Sequence, residues 1–220
     1  MMNTPFDLMF VARQPQSTNP KSLVLLLHGV GGNETNLASL AATTDPETLV
    51  VMPRGPITLG AWQYAWFRVN FAGTGPVIVE TEAEQSRQTL IRFVEQLQKT
   101  YGIAPEKTVI AGFSQGGILS ASVGLSAPER VAGFAVLSGR ILPELRPHIA
   151  DKAKLKDLRA FIGHGEYDSK LPVVWAQRSE QLLNDLGLTY QTWRYPIDHG
   201  ISAPMQADFL SWVQTITSWP

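Results

Sequence analysis

Gly112-Phe113-Ser114-Gln115-Gly116-Gly117 is the stretch whose residue types and spacing speak most directly of chemistry. The apolar run Thr108 to Ala111 precedes it and the helical stretch Ile118 to Leu125 follows, so a G-x-S-x-G pattern lies between strand and helix. A serine on so sharp a turn presents its hydroxyl as a nucleophile. Its neighbours must lack Cβ atoms, because strand and helix backbones close in on both sides. Gly112, Gly116 and Gly117 meet that need. No lysine follows the glycines, which argues against a phosphate-cradling loop.

A nucleophilic serine needs a base, and the chain holds four histidines: His28, His148, His164 and His199. When the nucleophile lies on a strand-to-helix turn, the partners follow in the order acid, then histidine. His28 precedes Ser114 and is rejected as the base on that ground. His148 lies in a charged, proline-bounded segment and reads as a solvent-exposed side chain. His164, at the end of a strand, reads as a brace for its own loop. His199, in Pro196-Ile197-Asp198-His199-Gly200, follows the last strand and can lean over the sheet towards Ser114. For the orienting acid, Asp168 stands a few loop residues beyond a strand end, where its carboxylate can reach Nδ1 of His199 and leave Nε2 facing the serine. Glu166 is the alternative. Asp157 precedes the strand, and Asp198, adjacent to His199, projects away from the ring.

The third requirement is a pair of N–H groups aimed at a developing oxyanion. Gln115, the residue after the nucleophile, supplies one. Leu27-His28-Gly29-Val30-Gly31-Gly32-Asn33-Glu34 supplies the other, with Val30 as donor and Asn33 as the expected cap of a following helix. Taken alone, that glycine-rich segment reads equally well as a chain reversal.

These groups need a scaffold. Short β-type runs at Ser22 to Leu27, Thr48 to Met52, Thr108 to Ala111, Gly133 to Leu137, Arg159 to Ile162 and Tyr190 to Arg194 alternate with helical patterns, and Phe6 to Val11 adds an antiparallel edge. That order predicts an α/β domain, a mostly parallel sheet with helices on both faces, spanning residues 1–220. Leu90, Val94, Leu97 and Tyr101 give one helix an apolar face that stops at Gly102. A second helix follows Pro172 and ends at Gly187, and a last one carries Met205, Phe209, Val213 and Ile216. Residues 53–79 read as one long irregular stretch rich in glycine, proline and aromatics.

Composition narrows the partners. With 18 basic and 19 acidic side chains the net charge is −1, so nothing draws phosphate backbones, and nucleic acid is not expected. The absence of cysteine excludes disulfides, thiolate metal sites and a cysteine nucleophile. No leader pattern and no apolar run of about 18 residues appears, which predicts a cytoplasmic protein without a membrane span. Neither a metal nor a cofactor is expected. The end of the chain near Trp212 and Trp219 suggests a homodimer interface.

Four ordered blocks together resemble the phospholipase/carboxylesterase family of α/β-hydrolases: residues 27–32, Pro53-Arg54-Gly55-Pro56, residues 112–117, and His164-Gly165-Glu166-Tyr167-Asp168 with Asp198-His199-Gly200. The resemblance covers Leu25 to Trp212. It implies Ser114 as nucleophile, Asp168 as acid, His199 as base, and the Val30 and Gln115 amides as the oxyanion hole. The chain departs from the family at Trp66-Phe67-Arg68, where members often place an acid after the aromatic pair, so substrate preference is not carried over. The expected reaction is hydrolysis of a small acyl ester through an acyl-enzyme. The alternatives are a thioesterase or lysophospholipase acting on long chains, transfer of the acyl group to another acceptor, and a non-catalytic binding protein. Only about 20 residues follow Leu137 before the next charged stretch, too few for a large lid domain, which predicts an open cleft. Trp62, Tyr64, Trp66, Phe67 and Phe71 are candidates either to line an acyl pocket, with Trp66, Phe67 and Phe71 foremost, or to pack the loop onto the sheet.

Overall fold

The computed structural model describes residues 6–70 and 77–218. Alternating side chains along the inner strands are apolar in both phases, as strands covered on both faces require. In β2 (Ser22–Leu27) all six residues are buried. Leu23, Leu25 and Leu27 point into one apolar cluster and Val24 and Leu26 into another on the opposite face. The same period-2 division runs through β3 (Thr48–Pro53), β8 (Thr108–Phe113), β9 (Gly133–Leu137) and β10 (Arg159–Gly165). With β1 (Phe10–Arg13) and β11 (Thr189–Tyr195) these strands form a seven-stranded sheet in the order β1-β3-β2-β8-β9-β10-β11. Only β1 runs antiparallel.

Three helices cover the first face. In α2 (Glu80–Tyr101), Leu90, Phe93, Val94 and Leu97 share one buried stripe, and Gly102 ends the helix in the left-handed region at φ 66°. The amides of Gly102 and Ile103 both return to the Gln98 carbonyl. Beside it lie α3 (Gln115–Ser126), buried almost throughout, and α5 (Val174–Leu186), ending at Gly187. The second face takes α1 (Ala38–Ala42) and α6 (Ala203–Thr217), whose Met205, Phe209, Trp212 and Val213 fill the other cluster. Between β9 and β10 lie a 3-10 turn at Pro143–His148 and the one-turn α4 (Lys152–Leu155), and no lid domain is present among the described residues.

Several expectations are corrected. The edge strand is Phe10–Arg13 instead of Phe6 to Val11, because the antiparallel pairing runs from Phe10 opposite Pro53 to Arg13 opposite Val50. Asn33 does not cap a helix. Its Oδ1 accepts from the Thr35 amide in a local turn, and α1 starts only after Leu37. The stretch 53–79 is not irregular: β4 (Ile57–Gly60) pairs with β5 (Gln63–Ala65), and β6 (Val69–Asn70) with β7 (Val77–Ile78). Strands β8 and β10 run past their expected ends, since parallel pairing with β9 and β11 continues through glycines. Trp212 is 3% exposed and packs on Phe161 and Phe209, so it offers no homodimer surface; Trp219 lies outside the described residues. Among the described residues no helix is long and apolar enough to cross a membrane.

Strand order reverses direction between β2 and β8, so the carboxyl ends of these two strands open a crevice at the switch point. The loop after β2 and the turn after β8 meet there.

Candidate active site

At the end of β8 the chain turns into α3 through Ser114, held at φ 54° and ψ −116°. A non-glycine residue in that region is strained and persists only where its surroundings hold it. The Ser114 amide donates to the Leu137 carbonyl at 2.9 Å, and its carbonyl accepts from Ile118 at 3.0 Å. The crowding that demands glycine is direct. A Cβ on Gly116 would lie 2.1 Å from the Leu27 carbonyl oxygen, and one on Gly112 would lie 2.3 Å from the Gly116 carbonyl carbon. The hydroxyl is thus raised above the sheet, at the positive end of a twelve-residue helix.

Ser114 Oγ lies 3.0 Å from His199 Nε2, and His199 Nδ1 lies 2.8 Å from Asp168 Oδ2. Three residues spread over 85 positions of sequence are therefore aligned in one chain of hydrogen bonds. Asp168 is completely buried at its side chain. Its Oδ1 accepts from the Lys170 and Leu171 amides at 2.9 and 2.7 Å, which aims Oδ2 at the imidazole. With a carboxylate accepting from Nδ1–H, Nε2 is the nitrogen left to take the serine proton.

Glu166 is exposed and takes no part in the arrangement. Asp198 accepts from the Ser169 amide and hydroxyl and from the His199 amide, bonds that hold its carboxyl below the usual range and fasten the loop carrying Asp168 to the loop carrying His199. Ser138, at φ 50°, adds a further tie by donating to the Gly200 carbonyl at 2.8 Å. His164 is fully buried and lies 2.8 Å through Nε2 from the Leu171 carbonyl. Burial pushes its pKa down, which keeps the ring neutral beside Asp168. His148 is half-exposed near Glu84, away from the serine.

The oxyanion donors proposed from sequence, Val30 and Gln115, both border the cleft that contains Ser114. Gln115 opens α3, so its N–H has no partner within the helix. The Val30 loop is held by its neighbours: Gly31 donates to the Tyr64 carbonyl and Gly32 to the Gly29 carbonyl, at 2.8 and 3.0 Å. The β4–β5 hairpin thus serves as a buttress for this loop.

Two side-chain roles lay beyond the sequence reading. His28 is buried, and its Nε2 accepts from the Gly55 amide at 2.9 Å while Nδ1 lies 2.7 Å from the Gly29 carbonyl, which fixes the neutral Nδ1–H tautomer. Desolvation lowers its pKa accordingly. The Gln115 side chain accepts from the Trp66 amide and donates to the Phe67 carbonyl, both at 2.7 Å. His28 and Gly55 fall in two of the blocks that carry the family resemblance, but neither their contact nor the Gln115 clamp was signalled by the sequence.

The cleft encloses about 480 Å³ and takes apolar wall from Phe67, Val69, Ile78, Phe113, Ile118 and Leu171. Trp66 is not among its lining. It is fully buried and its indole Nε1 donates to the His28 carbonyl at 3.0 Å, so it packs beneath the site. Trp62 is 68% exposed at the hairpin tip, and Tyr64 lies under the Arg54 guanidinium. Phe71 lies outside the described residues. Arg68, which replaces the expected acid, pairs with Glu82. No group of three or more metal-ligating side chains occurs among the described residues.

Comparison with known proteins agrees with this architecture. The chain is 29% identical over 189 residues to acyl-protein thioesterase 1 of Kluyveromyces lactis, covering 80% of this chain and 82% of that one. The crystal structure of esterase PE8 superposes with a TM-score of 0.84 at 25% identity, over 95% of this chain and 99% of the other. A carboxylesterase of Bacillus cereus shares the fold, with a TM-score of 0.80 at 22% identity over 95% and 94% of the two chains. A model of the phospholipase/carboxylesterase family matches residues 10–217, and the chain belongs to that family of hydrolases.

Proposed function

We propose that the protein hydrolyses carboxylic esters of small acyl groups, with Ser114 as nucleophile, His199 as general base and then general acid, and Asp168 as the orienting carboxylate. The observation that carries this reading is the aligned pair of contacts, Ser114 Oγ to His199 Nε2 at 3.0 Å and His199 Nδ1 to Asp168 Oδ2 at 2.8 Å. The serine oxygen attacks the acyl carbonyl as its proton passes to Nε2. The oxyanion is received by the Val30 and Gln115 amides. The imidazolium then protonates the leaving alkoxide, and water, deprotonated by the same nitrogen, releases the acid. Each oxyanion donor is worth about 10² to 10³ in rate.

The cleft supports a small-molecule substrate, since its wall is mainly apolar and no covering domain is present among the described residues. A second reading, deacylation of long-chain thioesters, is favoured by the resemblance to acyl-protein thioesterase 1. Initial rates on p-nitrophenyl esters from acetate to palmitate, run on the wild type and on Ser114→Ala, separate the two. A maximum at short chains that vanishes in the variant supports the esterase reading. A maximum at palmitate supports the thioesterase reading, and turnover retained by Ser114→Ala contradicts both.

A further inference from the structure

Arg140 lies in the cleft beside Ser114 and makes no hydrogen bond or ion pair among the described residues. It is 5% exposed, and its Nε is buried without any partner. Burying Nε without a partner is costly, and the terminal nitrogens, which bond no described residue, are left to face the cleft, where an anion would neutralise them. The chain brings it close to the reaction centre through backbone packing. A Cβ on Gly139, the preceding residue, would lie 2.9 Å from the Ser114 carbonyl oxygen, and the Ile141 amide donates to Ser179 Oγ at 3.2 Å. The guanidinium carbon lies over the Trp175 ring, 4.4 Å from its centroid, a contact that holds the group without neutralising it. Arg178 lies over the same indole at 4.7 Å, and Lys170 also borders the cleft. No carboxylate is among the cleft's lining residues; Asp168 is behind His199, and Glu144 acts on Arg140 only through space. Burial lowers the pKa of Arg140, the direction expected of a cation without a close anion.

We propose that the substrate is an ester carrying a second, ionised carboxylate, which Arg140 receives and Lys170 flanks. The inference rests on the esterase reading and names the substrate class for that site. A planar guanidinium matches a carboxylate through two parallel N–H donors, and the remaining wall is apolar enough for a short methylene linker between that carboxylate and the ester. A guanidinium receives a phosphate through the same fork, so the comparison of adipate with butyl phosphate decides between the two anions.

The test compares kcat/KM for monomethyl adipate with that for methyl hexanoate, which differ by the distal carboxylate. The wild type should favour the anionic ester by about tenfold or more, and Arg140→Gln should lose that preference, with Arg140→Lys recovering part of it. A structural role for Arg140 would lower both rates together and leave their ratio unchanged, which overturns the proposal. Adipate binding by calorimetry gives a readout independent of turnover: wild type should bind it and Arg140→Gln should bind at least about tenfold more weakly. Equal binding by the two proteins, or tighter binding of butyl phosphate than of adipate, refutes the carboxylate assignment whether or not esters are hydrolysed. Turnover of methyl hexanoate that is lost in Ser114→Ala, without any anionic preference, leaves the esterase reading standing and removes this one.

Discussion

Acidification from pH 6.5 to 5 should destabilise the fold by as much as about 3 kcal/mol, because two buried histidines must stay neutral in it. His28 accepts the Gly55 amide at Nε2, so a proton there would replace an acceptor with a donor facing a donor. His164 has no exposed surface, and its Nδ1 lacks any partner to receive a second N–H. Both rings have pKa values lowered by burial from the ordinary 6.5. The unfolded chain therefore takes up protons first. The stabilisation is complete above pH 6.5 and is lost as pH falls through the window between the unfolded and folded pKa values. Each histidine that remains neutral at pH 5 contributes up to about 1.6 kcal/mol over that interval. The carboxylates held low by hydrogen bonds act in a lower range; Glu84, for example, is drawn to about 2 by Arg87. Urea unfolding at pH 7.5, 6.5, 5.5 and 5 measures the effect directly. His28→Gln, which keeps an acceptor for Gly55 but cannot titrate, should remove about half of the slope even though it lowers stability at every pH. A stability that stays flat between pH 7.5 and 5 would falsify the neutral-clamp account of both rings.

Gln115→Leu leaves the Trp66 N–H and Phe67 carbonyl buried without partners and should cost about 2–5 kcal/mol by chemical denaturation, and a loss under about 1 kcal/mol would show that the clamp is dispensable. Gly116→Ala, whose Cβ meets the Leu27 carbonyl at 2.1 Å, should destabilise by about 3 kcal/mol or more in a thermal melt or fail to accumulate as folded protein. Asp168→Asn should lower kcat by about 10⁴ with a far smaller change in KM, since Nδ1 loses the acceptor that selects its tautomer; a drop under about tenfold would remove Asp168 from the proposed role.

What could be read in advance followed from local constraints. The glycines around Ser114 are dictated by backbone crowding, and crowding of that kind leaves its trace within six residues of sequence. The inner strands announce themselves because both their faces are buried, and α2 because its apolar stripe is regular. Asp168 and His199 were reachable through chain order and loop position. What stayed hidden depends on contacts between distant segments. The Gln115 side chain holds a backbone about 49 residues away, and His28 holds one 27 away, without any periodic signature. Trp66 and Phe67 are neighbours of one residue type class, yet one packs under the site and the other lines it, because the chain bends at this pair between β5 and β6. The β4–β5 hairpin within residues 53–79 was masked by its short strands and by a bridge from Tyr64 to the distant Gly32 that leaves no pattern in the sequence. Arg140 carries no motif, and its meaning comes from burial without a partner.

The most direct test of the central claim is active-site titration with a fluorophosphonate at pH 7.5, followed by peptide mapping. The account predicts one phosphonyl group per chain, on Ser114, with labelling slowed severely in His199→Ala while the circular dichroism spectrum is unchanged. Labelling at another residue, or the same rate of labelling without His199, would contradict it.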